Sequence, residues 1–330
     1  MTFKNDWEKT NSRVQIPDDT ICAMVSQAIP NFSLSSFDII KGGCANLNIR
    51  LEFKDQPPAI LRIYVRDRDA AYREQKLSQI IGHDVPIPKV LYVGDFQEYR
   101  FAITDFLPGI TLRELLLDHQ RDYHDGDIQR LMEAAGRMLG IFHTFSFSQA
   151  GFFNQNLVVA SPFGRTDLTL YMKECLAHPT VIGELGQDII TQLRHLLDIH
   201  GDLLPDDTWH TLVHADYDPA NILVDKATGR WEISGILDWE FAFSGPWLCD
   251  VANMLRYAHH MPSVYEESFI KGISDAGLIL PNQWRISVTM LNILSLIDCL
   301  KHCPPKERPN QCKDICELIR YFVASLEMQR

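Results

Sequence analysis

The chain has 330 residues, 31 of them basic and 43 acidic, for a net charge of −12 at pH 7, and its 46% hydrophobic and 22% charged content is that of an ordinary globular protein. The length suffices for a sizeable core in two lobes, and the acidic balance argues against sequence-independent binding to nucleic acid. No apolar run reaches the roughly 18 residues of a membrane span, the opening MTFKNDWEKTNSRVQ holds no apolar export core, and eight scattered cysteines fit a reducing compartment, so a cytoplasmic protein without membrane partners is expected.

Residues 1 to about 36 read as a leader and a short helix, with Ile21, Met24, Val25 and Ala28 at helical spacing before Pro30. A strand pair follows: Phe37 to Ile40, the turn Lys41-Gly42-Gly43-Cys44-Ala45-Asn46, then Leu47, Ile49, Leu51 and Phe53 alternating with polar residues. Gly42 and Gly43 would let backbone N–H groups approach phosphate oxygens without interference from a Cβ. A glycine pair in a hairpin often does no more than turn the chain.

After Pro57-Pro58 a third strand, 59–65, carries Arg62 among apolar residues, and a helix over about 69–81 places Glu74 on the same stripe as Ala70, Ala71, Leu77 and Ile81. A carboxylate on a core-facing stripe is costly unless paired, which makes Arg62 its natural partner; the competing reading is a solvated pair at the edge of a small lobe. Strands over 90–93 and 100–104 lead into Asp105-Phe106-Leu107-Pro108-Gly109, a tight connector before a helix with the capping box Thr111 to Glu114. From there helices dominate: 128–143, then about 167–177, 180–200, 246–260, 263–276, 281–303 and 310–328. His143 and His259-His260 read as helix-end structural residues. Cys299, Cys303, Cys312 and Cys316, with His302, have the spacing of a zinc staple between two helices, but lack the tight Cys-x2-Cys knuckle and read as core cysteines.

The richest stretch runs from Leu212 to Asp250: LVHADYDPANILVD, a turn, then ISGILDWEFAFSGPWLCD. It offers His214, Asp216 and Asn221, then Asp238 at the end of a strand. Ile222-Leu223-Val224, the Gly229 turn and Ile233 with Ile236-Leu237 form a hairpin that brings Asn221 and Asp238 to one side of a sheet. A carboxylate, an amide five residues on and a second carboxylate after a hairpin suit phosphoryl transfer: the first takes a proton from a hydroxyl, while the other two hold Mg²⁺ on ATP. As isolated residues, Asp216 and Asn221 would be ordinary turn formers. In this context Arg62 is a cation aimed at the ATP phosphates, and the 105–109 connector, through Asp105 and Leu107, is where an adenine edge could meet backbone groups. Asp218 and Glu240 are acids that could receive an amine on the acceptor.

HADYDPAN and ILDWE resemble the aminoglycoside phosphotransferase and choline kinase-like family of small-molecule kinases, and the resemblance runs from the Lys41–Asn46 loop to Asp250. It implies an α+β, bilobal, protein-kinase-like fold: a nucleotide-binding lobe over 1–107 with an antiparallel sheet and one key helix, a hinge at about 105–109, and a mainly helical catalytic and acceptor lobe over 108–330. It implies Asp216 as the catalytic base, His214 as the residue that shapes the catalytic loop, Asn221 and Asp238 as Mg²⁺ ligands, and a structural Asp250. The loop with Gly42, Gly43 and Asn46 falls at the phosphates, with Arg62 in place of the usual Lys and Glu74 as its partner. ATP and Mg²⁺ are the implied cofactors and a small hydroxylated molecule the implied acceptor. Arg62 keeps the charge of a Lys but as a wider planar fork, and Ala215 stands where Gly is common. The alternative reading is a nucleotide-binding regulator of the same fold that has lost catalysis.

Overall fold

The computed structural model describes residues 3–8, 16–40, 46–118 and 123–328. Gly42 and Gly43, with the rest of the 41–45 loop, lie outside them. Helix α1 (Asp18–Ala28) precedes strands β1 (Leu34–Ile39), β2 (Leu47–Phe53) and β3 (Ala59–Tyr64), helix α2 (Ala70–Ile81), and strands β4 (Val90–Phe96) and β5 (Tyr99–Asp105). The strands form one antiparallel sheet in the order β1-β2-β3-β5-β4. Alternation sorts its two faces. Leu47, Ile49, Leu51, Leu61, Ile63, Phe101 and Ile103 point to one side, where Ile21, Met24 and Val25 of α1 close the core. On the other side Tyr64 and Ala102 meet Ala70 and Ala71 of α2. Arg62 and Tyr64 alternate with Leu61 and Ile63, which turns Arg62 toward α2 and away from the larger sheet core.

The remaining chain is mainly helical. In order come β6 (Ile110–Thr111), α3 (Leu112–Leu117), α4 (Asp125–Thr144), β7 (Gly151–Phe153), β8 (Val159–Pro162), α5 (Arg165–Leu176), α6 (Pro179–Leu185), α7 (Gln187–His200), β9 (Thr211–Val213), β10 (Ile222–Asp225), β11 (Glu232–Ile236), β12 (Phe243–Gly245), α8 (Leu248–Leu255), α9 (Ser263–Asp275), α10 (Trp284–Lys301) and α11 (Pro309–Glu327). The capping box forms as read: Thr111 Oγ1 accepts the Glu114 N–H at 3.1 Å, and the Glu114 carboxylate accepts the Thr111 N–H at 2.7 Å. Leu77 and Ile81 of α2 join the helical core rather than the sheet core, so α2 ties the two lobes together.

Helices α4 and α9 touch backbone to backbone. A Cβ on Gly136 would stand 2.3 Å from the Phe269 carbonyl oxygen, and one on Gly272 would stand 2.1 Å from that of Glu133. Two short sheets, β11-β10-β6 and β8-β7-β12-β9, belong to this part of the chain. The loop from His214 to Asn221 leaves β9 and enters β10, while Asp238 follows β11. Pairing of Ile222 with Ile236, and the Leu237 N–H donated to the Asn221 carbonyl at 2.8 Å, put Asn221 and Asp238 at the same end of the hairpin.

Two helices differ from expectation. The segment read as one helix over 180–200 is α6 and α7, broken at Gly186, whose φ of +83° ends the first helix in a conformation that side-chain-bearing residues avoid. The 246–260 segment is helical only over Leu248–Leu255, with a separate short turn at 258–260. The cysteine group is divided: the buried Cys303 and Cys312 thiols lie 2.9 Å apart, the Cys316 thiol faces the Glu184 carbonyl, and His302 is exposed. Among the described residues no group of three or more His, Cys, Asp or Glu is arranged to hold a metal, and no helix is long and apolar enough to cross a membrane.

Candidate active site

A cavity of about 630 Å³ lies between the lobes and is lined on one side by Arg62, Asp105 and Leu107 and on the other by Asp216, Asn221 and Asp238. The loop from His214 to Asn221, which lines it, is over-determined. His214 is fully buried, donates its backbone N–H to one oxygen of Asp250 at 2.8 Å, and has its ring spanning two segments. Nε2 lies 2.8 Å from the Leu237 carbonyl, which can only accept, so the proton is on Nε2; Nδ1 then accepts the Asp216 N–H at 3.2 Å. The Nδ1 bond requires the neutral ring, and burial lowers the His214 pKa in the same sense. One imidazole thus ties the loop carrying Asp216 to the residue preceding Asp238.

Asp250 clamps the same loop from below. Its second oxygen accepts the Ala215 N–H at 2.9 Å, and Asn253 donates to the Ala215 carbonyl at 2.7 Å. Ala215 needs that hold, because its φ is +72°, a conformation that costs a side-chain-bearing residue about 1–2 kcal/mol. Burial pushes the Asp250 carboxyl up to about 7, although the two backbone N–H groups favour its charged form. Asn221 donates its amide to both the carbonyl and the Oδ2 of Asp216, each at 2.9 Å, which turns its carbonyl oxygen away from Asp216.

The other half of the site is built on Arg62. Its guanidinium lies 2.5 Å from Asp238 and 3.3 Å from both Glu74 and Glu240. Asp238 sits at φ +61°, tolerable for Asp, and its carboxylate goes to Arg62 instead of capping the helical turn that follows. Tyr64 donates its hydroxyl to Glu74, and Asn46 donates to Glu240 at 2.8 Å while accepting the Val65 N–H at 3.2 Å. Burial drives the Glu74 pKa up, and it carries Glu240 to about 7 against the pull of Arg62. One cation therefore faces three carboxylates in a buried pocket. That excess of negative oxygen donors is what a hard divalent cation neutralises. The Nε–H of Arg62 is buried without an acceptor among the described residues, the kind of group a ligand oxygen satisfies. The residues present fit Mg²⁺ and a nucleotide's phosphates.

These contacts also separate the two acids read as acceptor ligands. Glu240 is bonded to Arg62 and Asn46, whereas Asp218 faces Lys4 beside Asp216. Asp105 uses its carboxylate to receive the Lys89 N–H at 2.6 Å, fixing the connector to the edge of β4. Sequence reasoning missed Lys4, whose ammonium lies 2.7 Å from Asp216 Oδ1 and also pairs with Asp218. It also missed Arg256, which is buried against Asn253 and Asn292 and lines the cavity. Asp250, Asn253 and Arg256 recur every three residues on an otherwise apolar helix, a legible sign of a buried polar network. No comparable pattern marks Lys4.

The phosphotransferase enzyme family (APH) matches residues 36–285. The chain belongs to that family. No curated protein matches it in sequence. Among solved structures it is similar to a thermostable mutant of the aminoglycoside phosphotransferase APH(4)-Ia in ternary complex with AMP-PNP and hygromycin B, at 17% identity and a TM-score of 0.70, covering 93% of this chain and 98% of that one. It is similar also to APH(2")-IIia in complex with GDP and kanamycin, at 13% identity and 0.66 over 92% and 98% of the two chains. The macrolide 2'-phosphotransferase MphH from Brachybacterium faecium follows at 15% and 0.65, over 91% and 98%. This phosphotransferase thus has the bilobal kinase-like fold along nearly its whole length.

Proposed function

We propose that this phosphotransferase moves the γ-phosphoryl of ATP to a hydroxyl of a small, amine-bearing molecule such as an aminoglycoside, an amino alcohol or an amino sugar. The reading rests most on one observation: Asp216 and Asn221 are hydrogen-bonded at 2.9 Å on one wall of the cavity that also holds the Asp238–Arg62 pair. Asp216 orients the acceptor hydroxyl and takes its proton. Asn221, through its carbonyl oxygen, and Asp238 would hold Mg²⁺, which on ATP supplies charge neutralisation between the phosphates. His214 keeps the loop in register, and Arg62, braced by Glu74, presents a cation to the phosphates with Asn46 and the Gly42-Gly43 turn beside it. The connector around Asp105 and Leu107 is inferred to face the adenine and to be the seam between lobes 1–107 and 108–330. Residues 3–8 are the exception, since Phe3 and Trp7 pack into the helical core.

Nucleotide-bearing relatives of the fold, solved with AMP-PNP and hygromycin B or with GDP and kanamycin, support both the phosphoryl donor and the amine-bearing acceptor. Asp218 is the acid that supports an amine on that acceptor; Glu240 is reassigned to the phosphate side. Consumption of ATP, with GTP alongside, is to be measured with Mg²⁺ against hydroxylated amines, sugars, amino acids and antibiotics. Asp216→Ala is expected to lose about 10²–10⁴-fold in turnover while keeping nucleotide affinity. Near wild-type turnover in that variant would remove Asp216 as base, and nucleotide binding without turnover on any acceptor would favour the inactive regulator.

A further inference from the structure

The segment 3–8 reaches the loop that carries Asp216 and is fastened on either side of Lys4. Phe3 is 3% exposed and packs on Tyr257 with ring centroids 5.1 Å apart, while its carbonyl accepts from Arg113 at 3.2 Å. Arg113 in turn gives its backbone N–H to the Pro219 carbonyl inside the catalytic loop at 2.8 Å. Trp7 is 9% exposed and donates its indole N–H to Asp314 at 2.8 Å. Glu8 receives the N–H groups of Asn310 and Gln311, at 2.8 and 3.2 Å, in the first turn of α11, where an anion is favoured. Between these anchors Lys4 reaches the base, its side chain only 12% exposed.

Both oxygens of the base are already engaged, although its side chain stays 30% exposed to the cleft. Asp216 Oδ1 takes the Lys4 ammonium and Oδ2 takes the Asn221 amide. Asn221 is held by its own loop and strand. The Lys4 contact comes from a segment 212 residues away in sequence, which also meets Asp218 of the same loop. An acceptor hydroxyl must approach within about 2.6–3.2 Å of the base to pass its proton, and Lys4 occupies that approach. Taking the Asp216 assignment above as its premise, we propose that residues 3–8 form an intramolecular strap that fills the acceptor side of the cleft, with Lys4 standing on the base in place of an acceptor, so that phosphoryl transfer waits on release of the strap. The attachment is suited to release. Its polar contacts, the Arg113 bond to the Phe3 carbonyl, the indole bond, the helix-end contact and the two carboxylates, can each pass to water or a cationic acceptor, while release also uncovers the Phe3 and Trp7 rings. An acceptor that carries an ammonium group competes for Asp216 and Asp218 on equal chemical terms.

The test separates occupancy from turnover. A water-soluble carbodiimide activates a carboxylate, and an amine in contact displaces the urea to leave an amide. In the full chain without ligands, peptide mass spectrometry should find Lys4 joined to Asp216 or Asp218. With methylamine present, Asp216 should be labelled several-fold more in Lys4→Met than in the wild type. Absence of the Lys4 amide, with equal labelling of Asp216 in both proteins, overturns the strap. Turnover is then compared: Lys4→Met and Trp7→Ala should hydrolyse MgATP to water several-fold faster and show a lower acceptor KM. A fall in kcat with unchanged KM would make Lys4 a positioning residue for the base and overturn the inhibitory role. If no protein turns over ATP while the labelling difference holds, the docked strap stands and the phosphotransfer reading is what fails.

Discussion

The cleft contains two cations, each set among carboxylates, and they are built in opposite ways. Arg62 projects from the middle of a five-stranded sheet, bonded on both sides through β2 and β5, and its three acids come from α2 and from the turn after β11. Lys4 arrives on the segment that contains residues 3–8, outside any helix or strand, and meets acids of one loop. The first cation cannot leave without unmaking the sheet; the second leaves if a few side-chain contacts exchange. Position in the chain, more than charge, decides which of the two is framework and which is occupant.

Substitutions sharpen the contrast. Arg62→Met should be the most damaging, because it strands the buried Glu74 and Glu240 without their cation, while Asp238 borders the cleft: a loss of about 3–5 kcal/mol in urea unfolding is expected. A loss below about 1 kcal/mol would mean that water reaches these acids and that the pocket is no framework. Asp250→Asn tests a clamp that uses no cation. An amide can accept from only one of the two N–H groups and opposes the other with a donor, for a cost of about 1–3 kcal/mol.

The same variant carries a pH signature. The folded-state pKa of Asp250 is raised to about 7, above the roughly 3.9 of an unfolded Asp. The unfolded chain therefore releases this proton first, and the contribution of Asp250 to stability falls as pH rises from about 4 to 7. Denaturant titrations at pH 5 and 7 should show a smaller drop between the two for Asp250→Asn than for the wild type. An equal drop would remove Asp250 as its source. Lys4→Met should cost less than Arg62→Met, about 1–3 kcal/mol, since Asp216 borders the open cleft and rehydrates while the buried Asp218 loses its cation. A cost as large as that of Arg62→Met would turn the strap into part of the framework and end the comparison.

What could be read in advance follows the same division. His214, Asp216, Asn221 and Asp238 fall within 25 positions, on a loop and hairpin whose apolar runs and turn glycine announce themselves. Arg62 and Glu74 were legible as polar intrusions on apolar stripes. Lys4 was not, because a docked segment without periodicity looks like any leader until its distant partners are known. The three-residue strands β7, β9 and β12 are too short to show a period. The break at Gly186 was missed because helical spacing runs straight through it and only the sign of one φ ends it. Glu240 was matched with Asp218 on charge alone; burial under Arg62 and Asn46 sends it to the other wall.

Ala215 has a further bearing, on how freely this loop can drift in sequence. At φ +72° a Gly would relieve about 1–2 kcal/mol of steric strain, yet the unfolded chain would gain back about 0.4–1 kcal/mol of conformational freedom. The two terms run against each other and leave roughly 0.5–1 kcal/mol in favour of Gly. Exchange between Ala and Gly next to Asp216 therefore shifts stability only slightly, so long as Asp250 and Asn253 keep their grip, and either residue can be carried at this position.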